Sequence, residues 1–429
     1  MKRKTFIKST LPLAMMPLIQ QCFKLRSRES ESNGDMDNRV LVLVQLEGGN
    51  DGLNTVIPLD QYSTLTDARK NILIPDKSVL LLKNSSITGF HPSMTALQRL
   101  YSNQQLAVIQ GVGYEDTNLS HFRSTDIWLT GSDAKTILNN GWIGRFLDQK
   151  YPDYPKGYPN AKAPYPPAIQ VGSVLSTALQ GPTVGLGIAL TSTSSFYDMT
   201  LGTYTKAPDT PAGHELNFLR MLANETLQYT AVLKSAARAQ TNLSKLYPMP
   251  GTNQLADQLK IVAQLIGGGL KTKVYMVNLQ GFDTHGGQVE SGNPTKGKHS
   301  ELLSLLSTAI EAFLDDLHLM GKQDKVLGMT FSEFGRRIKS NASHGTDHGS
   351  SGPVFLFGTK MKSGLFGTNP TISATVTVDS NLPMQYDFRS IYANILKGWF
   401  GISNSEMAQT LPGISPAALD LFDPRQNQV

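Results

Sequence analysis

The sequence predicts one α/β domain, a parallel sheet covered by helices and interrupted by a Pro-rich and helical insertion. Three observations predict it. Continuous apolar runs rich in β-branched residues mark strands buried on both faces. Such strands alternate with helical patterns at both ends of the body, and the alternation lapses over residues 150–270. With 40% hydrophobic and 17% charged residues, the chain can bury a large core, which excludes a disordered or coiled-coil protein.

The elements follow in order. Val40–Leu46 is the first strand, a helical segment spans Ser93–Tyr101, and Leu106–Val112 is the second strand, closing a β–α–β unit. Residues 151–168 are dense in proline and tyrosine and read as an irregular surface excursion. Residues 214–266 read as mainly helical, with Leu216, Leu219, Leu222 and Leu227 on one apolar face, until Gly267–Gly269 stops them. The strand Lys273–Leu279, the helix His299–Met320, the strand Lys325–Phe331 and a strand at Val354–Phe357 then resume the alternation. Leu302, Leu303, Leu306, Ile310, Phe313, Leu314 and Leu317 form a stripe of 3.6-residue period in that helix.

The amino terminus reads as an export signal over residues 1–23, followed by a flexible tether over 24–38 and a single domain over 39–429. Lys2, Arg3 and Lys4 precede an apolar run from Leu11 to Ile19, too short for a bilayer span of about 20 residues. Arg3 to Lys8 resembles a twin-arginine motif with Lys4 in place of the second arginine, and an ordinary Sec signal is the alternative. Cys22 follows the apolar run and hints at a lipid anchor, although Gln20 and Gln21 are bulky for that purpose. The expected location is therefore the periplasm or cell surface, with membrane contact only through the leader or a lipid on Cys22. Cys22 is the sole cysteine, so an internal disulfide, a Cys-based zinc site and an iron–sulfur cluster are excluded. Four of the five net positive charges sit on Lys2, Arg3, Lys4 and Lys8, so the body implies no nucleic-acid partner.

Ligands in open α/β sheets collect beyond the carboxyl ends of parallel strands, and the strand-end loops are where chemistry should lie. GGNDG (48–52) puts Asp51 in a Gly-rich turn, either as a plain turn residue or as a cation ligand. GFDTHGG (281–287) carries Asp283 and His285, whose i, i+2 spacing points both side chains one way in extended chain. SEFGRR (332–337) carries Glu333, Arg336 and Arg337, and GTDHG (345–349) carries Asp347 and His348. Paired carboxylate and imidazole donors favour a metal site over structural turns. Mixed donors suit zinc, manganese or iron, and all-oxygen sites suit magnesium or calcium. After the second strand, Ser120 and His121 open a helix ending near Thr130. Ser120 reads as a helix cap, as a nucleophile, or as both. No GxSxG, Walker, HExxH or CxxC motif occurs, and no GxGxxG follows the first strand.

LEGGNDGLN (46–54), LSHFRSTDIWLTG (119–131), GWIGRFL (141–147), GFDTHGGQ (281–288), FSEFGRR (331–337), GTDHG (345–349) and DFRSIYANIL (387–396) stand in this order. Together they resemble the domain-of-unknown-function 1501 family of exported bacterial proteins, itself similar to the alkaline phosphatase and sulfatase superfamily. The resemblance implies a three-layer α/β/α sandwich of alkaline phosphatase-like type with two metal ions and attack by a hydroxyl or formylglycine on a phosphate or sulfate ester. Carried over by position, it implies metal ligation by Asp51, Asp283, His285, Glu333, Asp347 and His348, with zinc, manganese, magnesium or calcium as the ion. It places Ser120 where the nucleophile follows. On the chemistry of the residues, His121 reads as a positioning group or base for Ser120 or as a structural histidine beside the helix cap, and Arg336 or Arg337 as an anion clamp or as solvated charges on a surface helix. The substrate implied is a small anionic ester or a sulfated or phosphorylated glycan. This sequence departs from the superfamily pattern where Glu333 replaces an aspartate and Phe334 a metal histidine, and its single leader cysteine argues against formylglycine chemistry. The competing expectation is a non-catalytic exported binding or assembly protein that keeps the fold.

Overall fold

A computed structural model describes residues 38–191, 207–414 and 416–423 of the chain. The export signal, Cys22 and the tether ahead of Asn38 lie outside the described residues, as do the side chains of Leu219, Leu222 and Leu227. No helix among the described residues is long and apolar enough to cross a membrane.

The strand β1 (Val40–Glu47) shows why its run is apolar throughout. Side chains alternate across a strand. Val40, Val42, Val44 and Leu46 therefore enter one core with the helices Gln254–Gly267 and Lys298–Leu319, while Leu41 and Leu43 enter another. That second core is closed by the helices His121–Thr130, Trp142–Lys150 and Phe388–Gly398. The result is the expected three-layer α/β/α arrangement. The predicted stripe of the helix Lys298–Leu319 is buried throughout.

Three short strands, β2 (Val56–Pro58), β3 (Leu80–Leu81) and β4 (Thr88–Phe90), form a separate small sheet. Among the described residues, the main sheet has nine strands. They are β1, β5 (Leu106–Gly113), β6 (Ala168–Val171), β7 (Ile188–Leu190), β8 (Val274–Gln280), β9 (Val326–Phe331), β12 (Gly352–Gly358), β13 (Gly364–Phe366) and β14 (Tyr386–Asp387). The order β13-β5-β12-β9-β1-β8-β6-β7, with β14 beside β5, puts β9, β1 and β8 next to one another. All pairings are parallel except those of β12, which runs against β5 and β9. The reversal matters for the site. It brings the segment ahead of β12, which contains GTDHG, to the edge where β1, β8 and β9 end. Between β9 and β12 a hairpin of β10 (Arg336–Ser340) and β11 (Thr346–His348) pairs Arg336 with His348.

The expected insertion at 150–270 is corrected in two respects. It supplies β6 and β7 to the main sheet and the helix Gln254–Gly267 to its cover, so part of it is integral to the domain. Its helical stretch is two helices, Pro211–Ala239 and Gln254–Gly267, and Leu216 is exposed on the first. Residues 151–167 form turns as expected, although Tyr154 is buried.

Candidate metal centre

The register of the three central strands levels their ends: Glu47 of β1 faces Gln280 of β8, and Gln45 faces Phe331 of β9. The loops at 48–52, 281–287 and 332–337 therefore leave the sheet side by side. Their close approach depends on glycine. Gly48 sits at φ +120°, and a Cβ there would stand 2.2 Å from Asp283 N; Gly49, at φ +83°, leaves room for the Phe334 ring.

Asp283 is the hub of the site. Its Oδ1 lies 2.7 Å from Arg336 Nη2, 2.8 Å from His285 Nδ1 and 3.2 Å from His348 Nε2, and its Oδ2 lies 3.5 Å from His121 Nε2. Partial burial disfavours the charged carboxylate, but the Arg336 guanidinium that donates to Oδ1 holds its pKa well below the usual range.

Two of the three histidines around Asp283 are oriented from behind. Leu119 O lies 2.8 Å from His348 Nδ1, and a carbonyl oxygen only accepts, so this contact places the proton on Nδ1. Glu333 Oε1, which accepts from Gly48 N at 2.9 Å, also lies 2.9 Å from His121 Nδ1 and fixes that proton in the same way. The Nε2 atom of each ring faces Asp283, and burial favours the neutral form of His348. Donor atoms of His121, Asp283 and His348 lie within 4.8 Å of one another. An imidazole whose far nitrogen is tied to a carboxylate or a carbonyl is the arrangement that metal-ligating histidines adopt. The residues fit a divalent ion.

The structure distributes the other predicted site residues differently. All lie at the same edge, but they do not all converge. Asp51 is buried and engaged by Arg69, whose Nη1 lies 3.1 and 3.0 Å from its two oxygens, and by Gln288 Nε2 at 2.6 Å. It therefore anchors the loop and stands outside the donor group. Although burial opposes ionisation, Arg69 holds the Asp51 carboxyl below its ordinary pKa. Glu333 supports His121 from beneath. Asp347 precedes His348 in a strand, where neighbours point to opposite faces, and it accepts from Asn341 at 3.1 Å. Arg336 is 1% exposed, and all three of its side-chain nitrogens are in use: they donate to Gly48 O, Gly49 O, Phe282 O and Thr346 O as well as Asp283. It ties the loops together and has no free edge with which to clamp an anion. Arg337 reaches away to Asp379. Phe334 forms the floor, its ring centroid 5.0 Å from that of His121 and 4.4 Å from that of His348. Ser120 is exposed at the N-cap of the helix His121–Thr130, and its side chain makes no capping bond.

Sequence reasoning missed the polar layer beneath the site. Arg69 lies at the end of a short helix with no motif around it, and His299 reads only as the start of a helix. Asn50 Oδ1 bridges Thr55 Oγ1 and His299 Nε2, each at 3.0 Å, and the His91 ring packs edge-on against His299. Burial holds the His299 imidazole down to about 4 and that of His91 to about 3. Both are neutral when folded, whereas the unfolded chain takes up their protons below about pH 6.5. Stability is therefore full above pH 6.5 and declines as the pH falls toward 4, by on the order of 2 kcal/mol per histidine at pH 5. Urea midpoints measured from pH 7 to 5 should fall, and His299→Gln should flatten the slope. An unchanged slope in that variant would refute the assignment.

These features define the class of protein: a mixed α/β domain with a His–Asp–His cluster at the carboxyl edge of its sheet. Residues 203–411 match the family described as protein of unknown function (DUF1501), the family that the motifs resemble. No curated protein matches the sequence. Among solved structures, a protein in the alkaline phosphatase superfamily from Vibrio parahaemolyticus is similar at 12% identity and a TM-score of 0.37, over 77% of this chain and 63% of that one. The PsFucS1 sulfatase from Pseudoalteromonas sp. is similar at 11% identity and a TM-score of 0.36, over 88% of this chain and 72% of that one. The alkaline phosphatase of the Antarctic bacterium TAB5 is similar at 10% identity and a TM-score of 0.30, over 75% of this chain and 92% of that one. The chain thus spans less than two thirds of the Vibrio protein's length.

Proposed function

We propose that the chain is a metal-dependent hydrolase of phosphate or sulfate esters, with His121, Asp283 and His348 as ligands of one divalent cation. The observation that carries this reading is the pair of imidazoles whose Nδ1 protons are committed to Glu333 and Leu119, leaving both Nε2 atoms on Asp283. His285 stands beside them as a further donor. A cation bound there would supply Lewis acidity toward the ester oxygens and lower the pKa of a nearby hydroxyl or water.

The chain's own residues have separate tasks. His121 holds its ligand tautomer through Glu333, so it is not free to act as general base. Ser120 lies between Leu119 and His121, both of which touch the centre, and presents its hydroxyl to solvent. Its oxygen would attack phosphorus or sulfur as the bond to the ester oxygen breaks, the hydroxyl proton passing through solvent to the departing alcohol, and water would then cleave the serine ester to release phosphate or sulfate. With Arg336 occupied, the anion is left to the unpaired backbone N–H groups at the start of the ten-residue helix that Ser120 caps. The ester class rests on the motif resemblance.

Ser120→Ala tests the assignment. Because Ser120 makes no side-chain capping bond, metal content and melting temperature should stay at the parent's values, while hydrolysis of p-nitrophenyl phosphate and sulfate is lost. Full activity in Ser120→Ala would remove Ser120 from the mechanism. A parent that binds no added zinc or manganese and cleaves neither ester would favour the binding-module reading instead.

A further inference from the structure

A cleft of about 900 Å³ opens at the amino edge of the sheet, away from the metal centre. Lys271 and Lys273 on its wall immediately precede β8, and the seven residues of that strand carry the chain roughly 20 Å to the Asp283 edge. The Pro-rich excursion supplies the facing wall, with Tyr151, Tyr158, Tyr165 and Lys162. The Tyr151 and Tyr158 rings meet edge to face at 6.0 Å, and Lys162 and Lys271 are both exposed.

The composition of the lining is selective. Among the described residues it includes lysines and tyrosines and no lining carboxylate; Lys150 is paired with Glu406 beside the cleft, and the exposed Lys162 and Lys271 face it. Cations gathered in a concave, low-dielectric wall raise the local concentration of anions. Tyrosines offer rigid apolar faces with hydroxyl tips. A neutral sugar would leave the exposed Lys162 and Lys271 without a counter-charge, and a polyanion without apolar faces would leave the rings unmatched. A pyranose chain carrying sulfate, phosphate or carboxylate groups matches both, because its rings present C–H faces and its substituents present charge. We propose that this cleft binds an anionic glycan chain, independently of the metal centre.

The test is binding of the full-length protein to dextran sulfate and to unmodified dextran at physiological salt. Affinity for dextran sulfate should fall at least about tenfold in Lys162→Ala/Lys271→Ala and in Tyr158→Ala, and unmodified dextran should not bind. A pair of equal charge outside the cleft, Lys77→Ala/Lys83→Ala, should bind as the parent does, and so should His348→Ala, which separates this site from the hydrolase reading. Equal losses in both lysine pairs would reduce the binding to general basicity and overturn the proposal. Loss of binding in His348→Ala would overturn it too. So would a protein that ignores dextran sulfate while binding phosphatidylglycerol vesicles, which would make the cleft a membrane contact.

Discussion

Asp283→Asn is expected to cost on the order of 100-fold or more in metal affinity and to abolish ester hydrolysis. The side chain supplies the one carboxylate that both His121 Nε2 and His348 Nε2 face, and the amide offers neither its charge nor its second acceptor oxygen. Losses of 10- to 100-fold are usual even for groups that only support a ligand. Glu333→Gln should fall in that range, since it frees the His121 tautomer without removing a ligand. Asp347→Asn should behave as the parent, because Asp347 points away from the centre. Metal content after dialysis, followed by calorimetric titration with zinc and manganese, orders the three variants. If Asp347→Asn loses the ion while Asp283→Asn keeps it, the ligand set is wrong. Tight binding must also raise thermal stability in the parent and not in Asp283→Asn, because an ion bound only by the folded chain stabilises it.

Arg69→Met should be the most destabilising change outside the hydrophobic cores, at about 3–5 kcal/mol. Arg69 is fully buried, and besides Asp51 it donates to Asn54 Oδ1 and to the carbonyls of Ile338 and Arg337. Its loss strands the Asp51 carboxylate with Gln288 as its remaining side-chain hydrogen-bond donor. The double variant Arg69→Met/Asp51→Asn should recover part of the loss, since no unpaired charge then stays buried. Urea unfolding of the two single variants and the double gives the coupling directly. Strictly additive effects would mean that the pair does not act as a unit, and full metal loss in Asp51→Asn would return Asp51 to the donor set.

The sequence was most legible where one physical cause dominates. Strands buried on both faces need apolar residues at every position, so β1, β5, β8 and β9 could be read within a residue or two of their ends. The helix Lys298–Leu319 was legible for the same reason, through its stripe. The loops that hold Asp283 and His348 were legible because glycine and polar residues cluster where strands end at a ligand-binding edge. Legibility stopped at residues whose role depends on a distant partner. Asp51 and Asp283 both sit in Gly-rich turns after parallel strands, and nothing local distinguishes them. One meets Arg69 and the other meets three histidines. Arg336 looked like a substrate clamp because it follows a strand-end acid; its guanidinium instead fills its donors with loop carbonyls. Tyr151, Tyr158 and Tyr165 looked like loop chemistry alone, and only the neighbouring start of β8 makes them one wall of a cleft.

By itself, then, the sequence determined the layered α/β class, the positions of the central strands and the loops that carry donor residues, because hydrophobic periodicity and turn chemistry are local properties. The tertiary structure decided which donors meet. The order β9-β1-β8 sets three loops side by side, and the reversed strand β12 brings His348 to the same edge. His121 arrives from the far end of β5, where the carbonyl before Ser120 fixes one imidazole and Glu333 fixes the other. Metal ligation requires donor atoms within a few ångströms of one point, a condition set by strand order and register and by no single segment of the chain.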